Sequence, residues 1–246
     1  MRIALRIASR VTSLVLFVAL ATTTVSAVAS AQYSRQTRAF APPPRWSIGG
    51  GFDYAKPVSQ FGQNVDHGFG GGGFARVGLD RGGLLSIRAD VDFLSYGHDT
   101  QYFPLGYYRL QQETSNNVVV ATIGPQLTIP LGGPSLYANG GVGIGYFYTE
   151  TSLSDYDSQQ TYASQTNYSD NSLVYAAGAG LTIPFSFARQ TLAIDLGARY
   201  HAIGTTRYLT KGDIQEDPAN PYNVIITPHE SDARFMTYRL GLVLSF

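Results

Sequence analysis

The stretch Leu85-Ser-Ile-Arg-Ala-Asp-Val-Asp-Phe93 decides the fold. Leu85, Ile87, Ala89, Val91 and Phe93 alternate with Ser86, Arg88, Asp90 and Asp92. Successive side chains of a strand point to opposite faces, so a strand here puts every apolar group on one side and every charge on the other. Working outward, the same period of two runs through Trp46–Tyr54, Ala75–Leu79, Val119–Ile129, Leu136–Tyr148, Leu173–Ile183, Leu192–Ala202 and Met236–Phe246. That makes eight strands, the second interrupted by Gly70 to Gly73, and no sustained apolar stripe of helical period.

The apolar sets contain no charged residue. The opposite faces carry Arg45, Arg76, Arg88, Arg199 and Arg239 against Asp53, Asp80, Asp90, Asp92 and Asp195, with Gln126, Asn139 and His201 among them. The connections alternate: long near 55–68, 97–115, 150–171 and 205–232, short at 81–83, 131–134 and 186–190. A meander with every second loop long is the pattern of an outer-membrane barrel, with short periplasmic turns and longer extracellular loops. Closure leaves no unpaired backbone edge in lipid. An eight-stranded interior is just wide enough to be filled by side chains, and equal numbers of cations and anions let the charges there pair. Small inward positions such as Gly49, Gly51, Gly141 and Gly178 leave room for the arginines.

A soluble barrel of lipocalin type would turn the same faces the other way, and alternation alone does not separate the two. Three features favour the membrane. Aromatics gather at strand ends (Tyr54, Phe93, Tyr146, Tyr148, Tyr200, Tyr238), as interfacial girdles do. Lysine occurs only at Lys56 and Lys211, and the chain stops at Phe246 on the apolar face.

Composition agrees with export. The chain has 246 residues, no cysteine, 17 basic and 17 acidic side chains and 14% charged residues, where soluble domains run nearer a quarter. A neutral chain lacks the basic face that nucleic acid requires. The absence of cysteine removes a disulfide framework, a Cys-ligated zinc site and a thiol nucleophile. Residues 1–31 read as a signal peptide: Arg2, Arg6 and Arg10, an apolar core, then the small residues Ala29-Ser30-Ala31. Without its three arginines the mature chain carries 14 basic against 17 acidic groups. Residues 32–44, ending in Pro42-Pro43-Pro44, read as a periplasmic tail, and 45–246 as the barrel domain.

At the carboxyl end Arg239, Gly241, Leu244 and Phe246 supply a polar residue, a glycine two later and two large hydrophobic residues, the last terminal. On these residues, and on the architecture of 45–246, the chain resembles the small outer-membrane β-barrel family, the eight-stranded OmpA-like and OmpX-like barrels. Leu244 departs from the aromatic usual at its position. The resemblance implies an all-β, antiparallel up-and-down transmembrane barrel in the outer membrane, in contact with lipid and lipopolysaccharide. It also implies insertion by the barrel-assembly machinery, which reads those four residues. The peptidoglycan-binding module that follows some OmpA-like barrels is not expected.

Chemistry finds little foothold. Lipid A deacylases and palmitoyltransferases are barrels of this size, and such chemistry needs Ser or His beside an orienting acid. His67, His98 and His229 fall in loops; His201 points inward near Arg199 and Asp195, and is followed by Ala202 and Ile203 rather than the His-x-Ser of the deacylases. A lumen-network role is the expectation for His201. Glu150, Asp155, Asp157 and Asp170, and Asp213, Glu216 and Asp217, form acidic loops without the spacing of an EF-hand. The Gly140–Gly145 run is no dinucleotide fingerprint, since no helix follows. No catalytic residue, metal or cofactor is expected. The Tyr/Ser/Asn-rich second and third loops, with Tyr102, Phe103, Tyr107, Tyr108, Tyr156, Tyr162 and Tyr168, suit adaptable recognition of an extracellular ligand. The expected role is structural or surface-interactive; an adhesin acting through these loops is the alternative, and a lipid-modifying enzyme the third reading.

Overall fold

A computed structural model describes residues 44–105, 108–155, 161–187, 190–210, 213–217 and 220–246; the expected signal peptide and most of the tail lie outside them. The barrel strands are β1 (Trp46–Val58), β2 (Gly68–Gly78), β3 (Leu85–Leu105), β4 (Tyr108–Pro130), β5 (Ser135–Asp155), β6 (Thr161–Phe187), β7 (Gln190–Tyr208) and β10 (His229–Ser245). One helical turn, α1 (Phe61–Asn64), interrupts the first loop, and β8 (Ile214–Asp217) pairs with β9 (Asn220–Ile226) as a hairpin in the last.

All barrel neighbours are antiparallel, in the order β1-β10-β7-β6-β5-β4-β3-β2, and the ring closes between β1 and β10. At the periplasmic end Trp46 and Phe246 exchange two backbone hydrogen bonds of 3.0 Å. The short turns use glycines with positive φ, Gly83 at 70° and Gly132 at 86°, a conformation open to glycine at no steric cost. In the β2–β3 turn Asp80 accepts the N–H groups of Gly82, Leu84 and Leu85 at 2.9, 3.2 and 2.7 Å. Desolvation acts to raise its pKa, but these bonds outweigh it and hold the carboxyl below the usual range.

The faces fall as an exported barrel requires. Ile48, Phe52, Val91, Ile144 and Leu240 are exposed on the outside, Ile144 at 60%, while Asp53, Arg88, Asp90, Asp92 and Asp195 are buried inside. An outside so apolar is stable only against hydrocarbon, which removes the lipocalin alternative.

Two expectations need correction. Much of the second and third loops, 97–115 and 150–171, is strand: β3 to β6 are 21, 23, 21 and 27 residues long, and about 9–11 cross a bilayer. These four strands therefore rise well above the membrane. Above lipid both faces meet water, so Thr, Ser, Gln and Asn occupy both and the apolar contrast that marks a strand vanishes. The charged network of the lumen also fills less of the barrel than expected.

Candidate functional site

The lumen is built in tiers. In the middle tier Asp90 joins two guanidiniums: Arg88 Nη2 lies 2.8 Å from its Oδ1 and Arg199 Nη1 2.6 Å from its Oδ2. Arg239 donates from Nε and Nη2 to both oxygens of Asp53 at 2.8 Å, and also reaches Asp92. Register explains the meeting: Asp53 pairs with Arg239 across β1 and β10, and Arg88 and Asp90 stand two apart on one face of β3. Arg88 bonds Gln126 at 3.1 Å and lies 3.6 Å over the Phe74 ring, and Arg199 bonds Thr122 at 2.8 Å. Nearer the periplasm Arg76 bonds Ser47 and Thr128 at 2.9 and 3.4 Å.

Glycine makes the space for this tier. A Cβ on Gly72 would run into Arg239, Asp92 and Asp53 together. Asp195 is buried in the same tier, but no described residue forms an ion pair with it.

Two expected members lie elsewhere. Asp80 is in the β2–β3 turn, bonded to backbone, because the strand ends before its side chain can turn inward. Arg45 precedes β1 with an exposed side chain, its carbonyl accepting from Gly78 at 2.7 Å.

His201 marks the top of the charged tier. It is fully buried, shares a 3.1 Å hydrogen bond with the Thr237 hydroxyl, and stacks on Phe235 at 4.8 Å between centroids.

Above it lies an apolar layer, with a buried Thr149–Asn116 hydrogen bond of 2.7 Å beyond it. Leu94, Val118, Val120, Phe147, Val174, Ile203 and Phe235 form one cluster with Ala55, Val65, Tyr208 and Ala233. The charged network thus fills only part of the barrel, correcting the expectation that it fills the whole. The signal was in the sequence: these side chains break the polar run of the inward face toward the extracellular strand ends.

The first loop caps this cluster. Ser59 turns the chain at φ 60°, and α1 places Phe61 edge-on to Tyr208 at 4.9 Å, Tyr96 at 5.5 Å and Phe147 at 6.1 Å. Asn64 Nδ2 donates to the Tyr208 hydroxyl at 3.1 Å, and that hydroxyl lies 2.9 Å from Ser231 Oγ. Nothing in the sequence reading pointed to a folded-in first loop.

Other candidates stay apart. His98 neighbours Glu113 on the raised sheet at 3.5 Å, and His229 lies 3.2 Å from Asp213. Among the described residues no three His, Cys, Asp or Glu side chains come together as a metal site. At the carboxyl end Arg239 points inward, Gly241 is packed against the Gly50 and Gly51 backbone, Leu244 is half-buried and Phe246 is exposed on the belt.

The model of the outer membrane protein beta-barrel domain family matches residues 17–246. This chain belongs to that family. Its location is the outer membrane. No curated protein matches the chain. Solved structures similar in fold include Ail of Yersinia pestis in complex with the heparin analogue sucrose octasulfate, at 16% identity and TM-score 0.44, covering 82% of this chain and 97% of that one. OprG of Pseudomonas aeruginosa is similar at 14% identity and TM-score 0.44, covering 83% and 97%. Neisserial surface protein A is similar at 11% identity and TM-score 0.42, covering 84% and 100%.

Proposed function

We propose that this protein is a non-catalytic surface-interaction protein of the outer membrane, in which the barrel is an anchor and the raised part of β3 to β6 is the working surface. The observation that carries the reading is strand length. Strands of 21 to 27 residues, about twice what the bilayer needs, lift a hydroxyl- and amide-rich sheet into the exterior. Thr161 to Thr166 are exposed at every position, so both faces there meet water. Such residues form adaptable hydrogen bonds at recognition surfaces.

The lumen supports the anchor role. Paired charges and the apolar cap rigidify the barrel without leaving room for a substrate, and His201, enclosed by Thr237 and Phe235, is out of reach of any lipid. That weighs against a lipid-modifying enzyme. Lipid and lipopolysaccharide surround the belt, and the barrel-assembly machinery reads Arg239, Gly241, Leu244 and Phe246.

The test replaces Asp99–Thr114 and Thr151–Gln165 by two-residue Asn-Gly turns, joining the pairs His98/Ser115 and Glu150/Thr166. Full-length and shortened barrels in nanodiscs are then applied to glycan and protein arrays. The expected result is that both show the boiling-dependent mobility shift of a closed barrel and only the full-length form binds. Equal binding by both would place recognition outside the raised sheet, and binding by neither would leave a purely structural role; either result overturns the reading.

A further inference from the structure

The barrel wall is high on one side and low on the other. β1 and β2 have 13 and 11 residues, close to the 9–11 that cross a bilayer. Lys56 is the eleventh residue of β1 counted from Trp46, so it stands where that strand leaves the hydrocarbon. Alternation puts it outside, because Ala55 and Pro57 on either side are buried and Lys56 is exposed. On the paired strand Arg234 lies between buried Ala233 and Phe235 and faces the same way. Lys56 pairs with Met236 and Arg234 with Val58, which makes the two cations diagonal neighbours. Such neighbours are about 7–8 Å apart, within joint reach of one small anion.

Directly below runs an aromatic row. Tyr238, Tyr54 and Phe69 are register partners across β10, β1 and β2, with ring centroids 6.3 and 5.4 Å apart. Phe52 and His67 both meet the Phe69 ring, at 6.1 and 5.1 Å. A row of this kind marks the headgroup level of a bilayer. Among the described residues nothing pairs with Lys56. Arg234 gives only Nη2 to Asp232, at 3.0 Å, with the two side chains 43% and 42% exposed. An exposed pair is worth little, and Nε and Nη1 stay available to another acceptor. Asp232 and the exposed Asp66 keep the rim from becoming a broad basic patch, so it suits a single headgroup rather than a long polyanion.

We propose that this rim binds the phosphate of one lipopolysaccharide molecule of the surrounding membrane. Lys56 and Arg234 hold the phosphate, and the Tyr54–Tyr238 pair packs beneath the sugar that carries it. The rim is at the extracellular end of the barrel, so the lipid at this height belongs to the outer leaflet. Stacked tyrosines offer an apolar ring face and a polar tip at one boundary, and basic side chains beside a membrane attract anionic headgroups. β1 stands across the ring from β5, away from the raised sheet. This reading and the surface role proposed above therefore fail or stand separately.

The experiment refolds the protein into zwitterionic micelles free of lipopolysaccharide. It is titrated with bisphosphorylated lipid A, with lipid A lacking both phosphates, and with phosphatidylglycerol, and adducts are read by native mass spectrometry. The expected result is one tight adduct with the phosphorylated form alone. Lys56→Ala/Arg234→Ala should weaken it about thirtyfold, the effect of two cations beside an anionic headgroup. The exchange Lys56→Arg/Arg234→Lys should keep it, as should Arg45→Ala/Arg81→Ala, which removes two exposed cations at the periplasmic end. Unchanged affinity in the first variant, an equal loss in the periplasmic one, or equal binding of the dephosphorylated lipid would overturn the proposal. So would equal affinity for phosphatidylglycerol, which would make the rim a site for any anionic headgroup. Should the alanine variant lack the boiling-dependent shift, the phosphorylated and dephosphorylated lipids on the unaltered protein decide.

Discussion

Asp90 is where the residue scale matters most, because two guanidiniums share one carboxylate in a site closed to water. Removing one partner of a buried pair leaves a charge without compensation and costs about 3–5 kcal/mol. Asp90→Ala is expected to lower the unfolding free energy in micelles by that amount, read from urea titrations. A loss within the range of an exposed pair, under about 1 kcal/mol, would show that the tier contributes nothing of the kind. Asp80 behaves oppositely. Its folded pKa is lowered from 3.8, so the stability it contributes is present above that value and is lost as pH falls through the lower, folded one. Asp80→Asn should therefore flatten the acid limb of the stability curve by lowering stability at neutral pH, while stability below the folded pKa stays little changed in urea titrations run across pH. The Arg88–Asp90 pairing was legible because the two stand at strand spacing on one face; Asp80 was not, because parity says nothing about where a strand stops.

On the scale of elements, α1 and the close-packed strands carry the predictions. Phe61 is 2% exposed beneath four aromatic rings, and Phe61→Ala is expected to cost about 3–5 kcal/mol by the same urea titration. Gly143 faces the Ala121 carbonyl so closely that any Cβ would collide with backbone, which cannot move aside. Gly143→Val is expected to abolish the boiling-dependent band by opening the β4–β5 seam. The eight strands themselves were readable, since lipid outside and charge inside give each a two-residue period. Their upper halves were not, for a reason of solvent: with water on both faces, residues such as Ser164, Gln165 and Thr166 carry no contrast for a period to reveal.

For the whole molecule, the tiers make the lumen a wall rather than a passage. Ion pairs block its middle and the cluster around Phe61 seals its extracellular half, so purified barrel in planar bilayers is expected to show no steady conductance. Phe61→Ala should also remain closed, because the Arg/Asp tier stays in place; stable channels in either would mean that the tiers are not continuous. The sequence alone determined the fold class and the strand order, because both follow from the alternation of apolar and polar side chains and from loop lengths; aromatic strand ends and the scarcity of lysine favoured the face that meets lipid, and the exposed apolar outside decided it. Only the tertiary structure decided how far the charged network extends, that the first loop folds inward, and that four strands rise above the membrane. Those properties depend on which residues from distant strands stand at the same height, a matter of register and closure that no local pattern records.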